Sequence, residues 1–210
     1  IAFLVTLGTT GCSKFLDKEP ENKVSVDLLF SDMQGAKSAL AGVYEDLFQS
    51  TYYNGLRMVY PDLLGGNLTF TVASKTTLSD VYSFETDAEN GSMNSLYSYQ
   101  YTLLNAINNI IKRVPAMQNV SELERNNVMA QAYGLRALVH FDLVQLYAQP
   151  YRYTENASHP GIILAKTTII PNEAQIARST VADVYQFIQA DLSLADSLFA
   201  NSKAIFEGNA

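Results

Sequence analysis

The chain has 210 residues, 48% of them hydrophobic, and a formal net charge of -7 at neutral pH. This length allows one domain with a sizeable core or two small ones, and the apolar content excludes a disordered chain. The acidic balance, without a cluster of lysine and arginine, argues against nucleic acid as a partner, and the single cysteine excludes a disulfide framework within the chain.

The first residues have the pattern of an export signal followed by a lipid-attachment site. Residues 1–7 form an apolar run that is too short to span a bilayer, and small residues lead up to Cys12. The sequence Thr9-Thr10-Gly11-Cys12 resembles a bacterial lipobox, with Thr9 where leucine is usual. We predict that residues 1–11 are the remnant of a signal peptide and that Cys12 is lipidated. The alternative is a buried apolar segment with an ordinary cysteine.

Two helices are predicted after a polar tether. Residues 12–30 include Pro20 and are predicted to form the lipid anchor and tether. The capping box at Ser31-Asp32-Met33-Gln34 predicts a helix to about Gln49. Its buried face is expected to hold Ala36, Leu40, Val43 and Leu47. A shorter helix is predicted over 53–64, interrupted at Pro61.

The segment from Gly65 to Gly91 lacks helical periodicity, because glycine, threonine, serine and asparagine interrupt it. Very short strands could form around Phe70 and Val72 and around Val81 and Ser83, but we interpret the segment mainly as a long ordered loop. A loop of this length in a compact helical domain is either functional or disordered. Its three aromatic residues, Phe70, Tyr82 and Phe84, argue against disorder.

A long helix is predicted from about Ser92 to Val114, where Pro115 ends it. Its apolar residues fall in two neighbouring stripes at helical spacing. One stripe holds Leu96, Leu103, Ile107, Ile110 and Val114, and the other holds Tyr97, Tyr101, Leu104, Asn108 and Ile111. We interpret Asn108 as the source of an internal hydrogen bond between helices.

The next helix is predicted to begin at Ser121, which has the spacing of a capping box with Glu124. Two adjacent apolar faces follow. One holds Val128, Ala132, Leu135, Leu138, Asp142 and Leu146, and the other holds Tyr133, Ala137, Phe141, Val144 and Ala148. So wide an apolar arc predicts a helix in the middle of a helical stack.

The run from Ala130 to Tyr147, AQAYGLRALVHFDLVQLY, resembles the signature helix of the SusD/RagB family, the surface glycan-binding lipoproteins of Bacteroidetes. The order Leu-Arg-Ala, Phe-Asp-Leu and Leu-Tyr carries the resemblance. It implies an all-α fold of tetratricopeptide-like helix pairs with long irregular loops. Ala137 and Phe141 are close to the second-helix pattern of that repeat.

A last helix is predicted after an irregular connection over 151–177. Thr180 and Asp183 have the spacing of its N-terminal cap. Its buried face is expected to hold Val184, Ile188, Leu192, Ala195 and Phe199. Residues 31–210 are thus predicted to form one helical domain, and the resemblance implies that the chain stops before the C-terminal part of family members.

The residue types give no support to catalysis. His140 lies in the signature helix and is interpreted as structural, and His159 lies in a loop with no partner that the sequence reveals. No phosphate-binding glycine loop and no metal-ligand spacing occur in the sequence. Paired carboxylates far apart in the chain stay open, but most acidic residues lie at helix starts and in the tether. We therefore expect no enzyme activity, no cofactor and no metal.

Sugar binding has the best support among the residues. A glycan offers an apolar C–H face to aromatic rings, and hydroxyl groups that amides and carboxylates orient. One irregular stretch supplies both types: Asp62, Asn67, Thr69, Phe70, Tyr82 and Phe84. Tyr52, Tyr53 and Tyr99 could extend the aromatic surface. The chain has no tryptophan, although tryptophans often line the platform of starch-binding relatives.

The resemblance implies a lipid-anchored protein at the outer membrane that faces the cell exterior. It would bind a glycan or another nutrient, sit as a lid on a SusC-like TonB-dependent transporter and pass the ligand to it. The alternative is an anchored helical-repeat scaffold that binds a protein and no sugar. The sequence does not identify the sugar or exclude a peptide ligand.

Overall fold

The computed structural model describes residues 25–71, 75–87, 89–169 and 176–201. Among these residues, seven α-helices and three 3₁₀ turns form, with one isolated bridge between Pro160 and Thr180 and no strand. The helices are α1 (Val26–Leu29), α2 (Met33–Leu47), α3 (Leu56–Leu64), α4 (Thr77–Tyr82), α5 (Gly91–Arg113), α6 (Glu122–Tyr147) and α7 (Val181–Ala200). The 3₁₀ turns are Val114–Ala116, Tyr151–Tyr153 and Glu155–Ala157. The predicted all-α fold is confirmed.

Side-chain caps begin the two C-terminal helices where the sequence predicts them. Ser121 Oγ accepts a hydrogen bond from the Glu124 amide at 3.2 Å, and Thr180 Oγ1 accepts one from the Asp183 amide at 3.1 Å. Helix α2 differs, because its N-cap is Asp32, whose carboxylate accepts from Gly35 N at 2.8 Å. Since Ser31 and Asp32 are both good caps, only the backbone path decides between them.

Helix α6 is the central helix, as predicted. It packs against α7, α5 and α2, and α5 also packs against α2. The predicted α2 face is buried, and so is the first predicted stripe of α5 with Val114 directly after it. Burying apolar area of this kind is the main favourable contribution to folding. The helices therefore share one core across the described part of the chain.

Two predicted faces are wrong in part. Phe141 of α6 is only half-buried, and its ring contacts Tyr185 at 6.2 Å between centroids. On α7, Leu192 and Phe199 are exposed, whereas Asp191 is buried. Apolar spacing does not reveal this arrangement, because the α7 surface that faces α6 carries a carboxylate that pairs with an arginine.

That pair is the centre of a buried polar network. Arg136 of α6 binds both carboxylate oxygens of Asp191, through Nε and Nη2, each at 2.7 Å. Its Nη1 donates to Asn108 Oδ1 at 2.9 Å and to the Lys166 carbonyl oxygen at 3.0 Å. Asn108 Nδ2 donates to the carbonyl oxygens of Ala165 and Thr167. The internal role predicted for Asn108 is confirmed, and it joins α5 to the α6–α7 connection.

His140 has the structural role that the sequence suggests. Its ring is fully buried, and the Ala165 amide donates to Nε2 at 3.1 Å. Nδ1 lies 2.9 Å from the Arg136 carbonyl oxygen, so the neutral tautomer with the proton on Nδ1 satisfies both contacts. Burial lowers the pKa of His140 to about 4, although the bond to the Arg136 carbonyl opposes that shift.

A second buried carboxylate ties α6 to the α2–α3 region. Asp142 accepts hydrogen bonds from the hydroxyls of Tyr52 at 2.6 Å and Tyr53 at 2.7 Å. Arg57 Nη2 lies 2.7 Å from the other Asp142 oxygen. The single charged position in the predicted α6 faces is thus paired and hydrogen-bonded, as a buried charge must be.

Candidate ligand-binding surface

The segment predicted to carry the ligand site folds back over the end of α3. The amide of Gly65 donates to the Pro61 carbonyl oxygen at 2.7 Å, and the amide of Asn67 donates to the Asp62 carbonyl oxygen at 2.9 Å. Gly66 has a φ of 75°, a conformation that glycine adopts at little cost. This turn places the side chain of Asn67 beside that of Asp62.

The middle of the segment is the short helix α4, which includes Val81 and ends just before Ser83, and Phe70 lies in irregular structure. The possible strands at these residues are therefore wrong. A capping box begins α4: Thr76 Oγ1 accepts from the Ser79 amide at 3.2 Å, and the Thr76 amide donates to Ser79 Oγ at 2.7 Å. Val81 is buried where α4 packs against α3 and α5. The run is too short for its helical period to appear in the sequence. Val72 lies outside the described residues.

The structure brings four of the six predicted site residues together in two pairs. Asn67 Nδ2 donates to Asp62 Oδ1 at 3.1 Å, which holds an amide and a carboxylate side by side. The rings of Phe70 and Tyr82 lie 6.4 Å apart between centroids with their planes inclined by 31°. Since Asp62 lies in α3, Tyr82 lies in α4 and the two helices are in contact, both pairs belong to one region.

Phe84 and Thr69 are exposed residues of the same segment. Phe84 is 71% exposed and has a φ of 57°, an uncommon backbone conformation for a bulky residue. Such a conformation costs on the order of 1–3 kcal/mol unless surrounding contacts hold it. Within the described residues, no hydrogen bond or ring contact joins Phe84 or Thr69 to the two pairs.

Of the three additional tyrosines, one is excluded from this surface by burial. Tyr52 is fully buried, and burial beside the Asp142 carboxylate raises the pKa values of Tyr52 and Tyr53. The Tyr99 hydroxyl donates to the Asp46 carbonyl oxygen at 3.0 Å, and its pKa rises to about 12, chiefly through burial. The interpretation of Tyr52 as a platform residue is therefore wrong. Tyr53 and Tyr99 are half-buried with hydroxyls bound to protein partners, and their part in the aromatic surface stays a prediction.

His159, which the sequence leaves without a partner, is also fixed in the structure. Thr154 Oγ1 lies 2.8 Å from its Nδ1, and the Gln149 carbonyl oxygen lies 3.1 Å from its Nε2. Sequence reasoning also missed Tyr151 and Tyr153, which are exposed in the 3₁₀ turn after α6. The available signal was a pair of tyrosines on either side of Arg152, directly after Pro150.

The described residues define which chemical groups this surface offers. They contain no group of three or more His, Cys, Asp or Glu side chains that could hold a metal ion. None of the helices in the described ranges combines the length and hydrophobicity needed to cross a bilayer. Cys12 lies outside those ranges, and its predicted lipidation stays a prediction.

The Phe70–Tyr82 and Asp62–Asn67 pairs offer two aromatic rings, one amide and one carboxylate. The rings can contact the C–H groups of a ligand, and the amide and carboxylate can bind its hydroxyls.

Residues 14–206 match the model of a SusD-like family that is described as starch-binding and associating with the outer membrane. The chain belongs to this SusD-like family. It is 27% identical over 198 residues to SusD-like protein P2 of Formosa agariphila, a match that covers 93% of this chain and 37% of P2. The chain thus spans little more than a third of that relative.

Solved structures of the SusD superfamily share the fold. A protein from Bacteroides thetaiotaomicron superimposes with a TM-score of 0.70 at 23% identity, over 79% of this chain and 37% of that one. One from Bacteroides vulgatus has a TM-score of 0.69 at 22% identity, with the same coverage of both chains. This SusD-like chain therefore has the tetratricopeptide-like helical architecture that the resemblance implies.

Proposed function

We propose that this chain is the helical part of a surface protein that binds a glycan at the outer membrane. The match of residues 14–206 to a family described as starch-binding and outer-membrane-associated carries the proposal. The described surface supports it, because amide, carboxylate and aromatic groups occur together between α3 and α5. The protein performs no reaction of its own on the ligand.

The ligand site in this proposal consists of Asp62, Asn67, Thr69, Phe70, Tyr82 and Phe84. The aromatic rings stack on the C–H faces of pyranose rings, and Phe84 offers the most exposed surface for this contact. Asp62 and Asn67 orient the hydroxyls, because a carboxylate accepts hydrogen bonds and an amide both donates and accepts them.

The proposal also places the protein on the membrane with a transport partner. Cys12 carries the lipid, and residues 12–30 serve as the tether. A SusC-like TonB-dependent transporter receives the ligand, with the SusD-like protein as its lid on the exterior side. The family description supports the outer-membrane location, and the sequence around Cys12 supports the anchor.

Calorimetric titration tests the ligand site directly. The parent chain is titrated with hexasaccharides of α-1,4-glucose, β-1,4-glucose, β-1,3-glucose and β-1,4-xylose. With a hexasaccharide that binds, we expect Phe70→Ala, Tyr82→Ala or Phe84→Ala to lower affinity by about tenfold, since a lost ring contact is worth roughly 0.5–1.5 kcal/mol plus its buried area. Phe84→Ala should leave the melting temperature unchanged.

Phe48→Ala is the matched control, because Phe48 is equally exposed but lies at the end of α2, outside this segment. It should bind like the parent. If all three site variants also bind like the parent, the glycan site lies elsewhere. If the parent binds none of the hexasaccharides, glycan binding by this chain is rejected and a helical scaffold for protein binding becomes the better interpretation.

A further inference from the structure

Two adjoining clefts lie at the C-terminal end of α6, on residues that the proposed site does not use. The first, of about 300 Å³, is lined by Val144, Gln145, Ala148, Gln149, Tyr151 and Tyr185 among others. The second, of about 470 Å³, is lined by Ala148, Gln149, Tyr153, His159, Pro160 and Arg178 among others. Ala148 and Gln149 line both clefts, so the two clefts are neighbours at the end of α6.

Each cleft contains one exposed tyrosine that rests on a ring beneath it. Tyr151 is 48% exposed and meets Tyr185 in a T-shaped contact, with 5.1 Å between ring centroids. Tyr153 is 64% exposed and meets His159 in the same manner at 5.3 Å. The supports are themselves held, since Tyr185 lies in α7 and His159 has the two polar partners described above. The tyrosine rings are therefore fixed in orientation and open to a ligand.

Polar groups in the clefts suit hydroxyls. The side chains of Gln145 and Gln149 belong to exposed residues at the end of α6. Arg178 is anchored by Nε to the Gly161 carbonyl oxygen at 2.6 Å and by Nη2 to the Pro160 carbonyl oxygen at 3.0 Å. A guanidinium has five N–H donors, so these two bonds leave others for a ligand. None of the described residues that line the two clefts is Asp or Glu.

We propose that Tyr151 and Tyr153 form a second glycan subsite, separate from the Gly65–Gly91 surface. Sugar rings stack on the two tyrosines, and Gln145, Gln149 and Arg178 bind their hydroxyls. Because a tyrosine lines each of two adjoining clefts, the ligand is an oligosaccharide and not a single sugar. The choice of a glycan over another ligand with C–H faces and hydroxyls rests on the proposed function.

The test uses the hexasaccharide that binds the parent chain most tightly in the titration above. Tyr151→Ala and Tyr153→Ala should each lower its affinity by about tenfold, the usual size of a lost stacking contact. Tyr153→Phe keeps the ring and should retain most of the affinity. Phe48→Ala, with its ring outside both surfaces, should match the parent. Melting temperatures identify any variant that is misfolded.

The outcomes separate this subsite from the function on which it rests. Parental affinity in both alanine variants overturns the subsite, while binding by the parent leaves glycan binding intact. A lower melting temperature with parental affinity also overturns it, because the tyrosines would then only cover Tyr185 and His159. If Tyr153→Phe loses as much affinity as Tyr153→Ala, stacking is rejected. If the parent binds none of the four hexasaccharides, both proposals fail.

Discussion

The Arg136–Asp191 pair is the residue-scale contact with the largest expected effect on stability. Both side chains are almost fully buried, and the guanidinium also serves Asn108 and the Lys166 carbonyl. Removing one partner of a buried pair leaves an uncompensated charge, which costs about 3–5 kcal/mol. We therefore expect Arg136→Met to lower the free energy of unfolding by that amount, measured by urea denaturation.

Arg113 provides the matched control, because it forms an ion pair with Asp27 that is open to solvent. Exposed pairs contribute up to about 1 kcal/mol, so Arg113→Met should cost much less than Arg136→Met. Equal losses in the two variants would contradict the assignment of Arg136 and Asp191 as a structural pair. Adding Asp191→Asn to Arg136→Met should recover part of the loss, since the unpaired buried carboxylate is then neutralised.

His140 makes stability depend on pH. Burial lowers its pKa from the ordinary 6.5 to about 4 in the folded chain. The unfolded state binds the His140 proton more tightly than the folded state does. The contribution of neutral His140 to the free energy of unfolding is therefore fully present above pH 6.5 and is lost as the pH falls towards 4. The loss should reach about 3 kcal/mol from this residue alone. It is measured as the difference in unfolding free energy between the parent and His140→Gln across that range.

Imidazole NMR provides an independent check, because the chain has only two histidines. The His140 signals should titrate near pH 4, well below the ordinary range. A His140 signal that titrates near 6.5 would contradict the buried, neutral ring. The pH dependence of the unfolding free energy would then come from other groups. The difference in unfolding free energy between the parent and His140→Gln would not change with pH.

At the scale of elements, local sequence signals were sufficient for the long helices. The caps at Ser121 and Thr180 and the apolar stripe of α5 depend on residues within a few turns of each other, so they can be identified along the chain. The pairing of Arg136 with Asp191 cannot, because the partners are 55 residues apart and both are charged. For the same reason, the buried side of α7 was misassigned at Leu192 and Phe199.

The candidate site was predictable in composition but not in geometry. The sequence located the aromatic and polar residues between Gly65 and Gly91, yet α4 stayed hidden among threonine and serine residues. A helix of six residues is marginal without tertiary contacts, so neither propensity nor periodicity reveals it. Tyr151 and Tyr153 were missed because their exposure depends on how the chain turns after α6.

The capping box of α4 gives a prediction at this scale. Thr76→Ala removes the hydroxyl that binds the Ser79 amide, and such a loss costs about 0.5–2 kcal/mol. In a helix of six residues, the loss of this cap should raise the hydrogen-exchange rates of the α4 amides. It should also weaken glycan binding, because Tyr82 is the last residue of α4. Thr102→Ala, on the exposed side of α5, is the control and should change neither. Parental exchange rates in Thr76→Ala would mean that packing alone holds α4.

At the scale of the molecule, a helical scaffold presents two irregular segments, which carry the two proposed binding surfaces. Residues 165–167 in the α6–α7 connection are held to α5 and α6 by Asn108, Arg136 and His140. The same connection carries the two tyrosines of the clefts at the end of α6. The α3–α5 segment depends more on its own turns and on Val81. We therefore expect the α3–α5 segment to exchange its amide hydrogens faster than the α6–α7 connection.

The last prediction concerns the attachment of the whole molecule to a membrane. If Cys12 carries acyl chains, each buried methylene contributes about 0.8 kcal/mol, and two or more chains hold the protein on the membrane stably. Expressed with an upstream export signal in a Bacteroidetes host, the parent should fractionate with the outer membrane.

Cys12→Ala should be found unprocessed or in the soluble fraction, while Ser13→Ala should behave like the parent. The melting temperature and glycan affinity of purified Cys12→Ala should equal those of the parent, because Cys12 lies outside the described helices, the first of which begins at Val26. Outer-membrane fractionation of processed Cys12→Ala at the parental level would show that another feature attaches the protein, since no other residue of the chain offers a thiol for this modification.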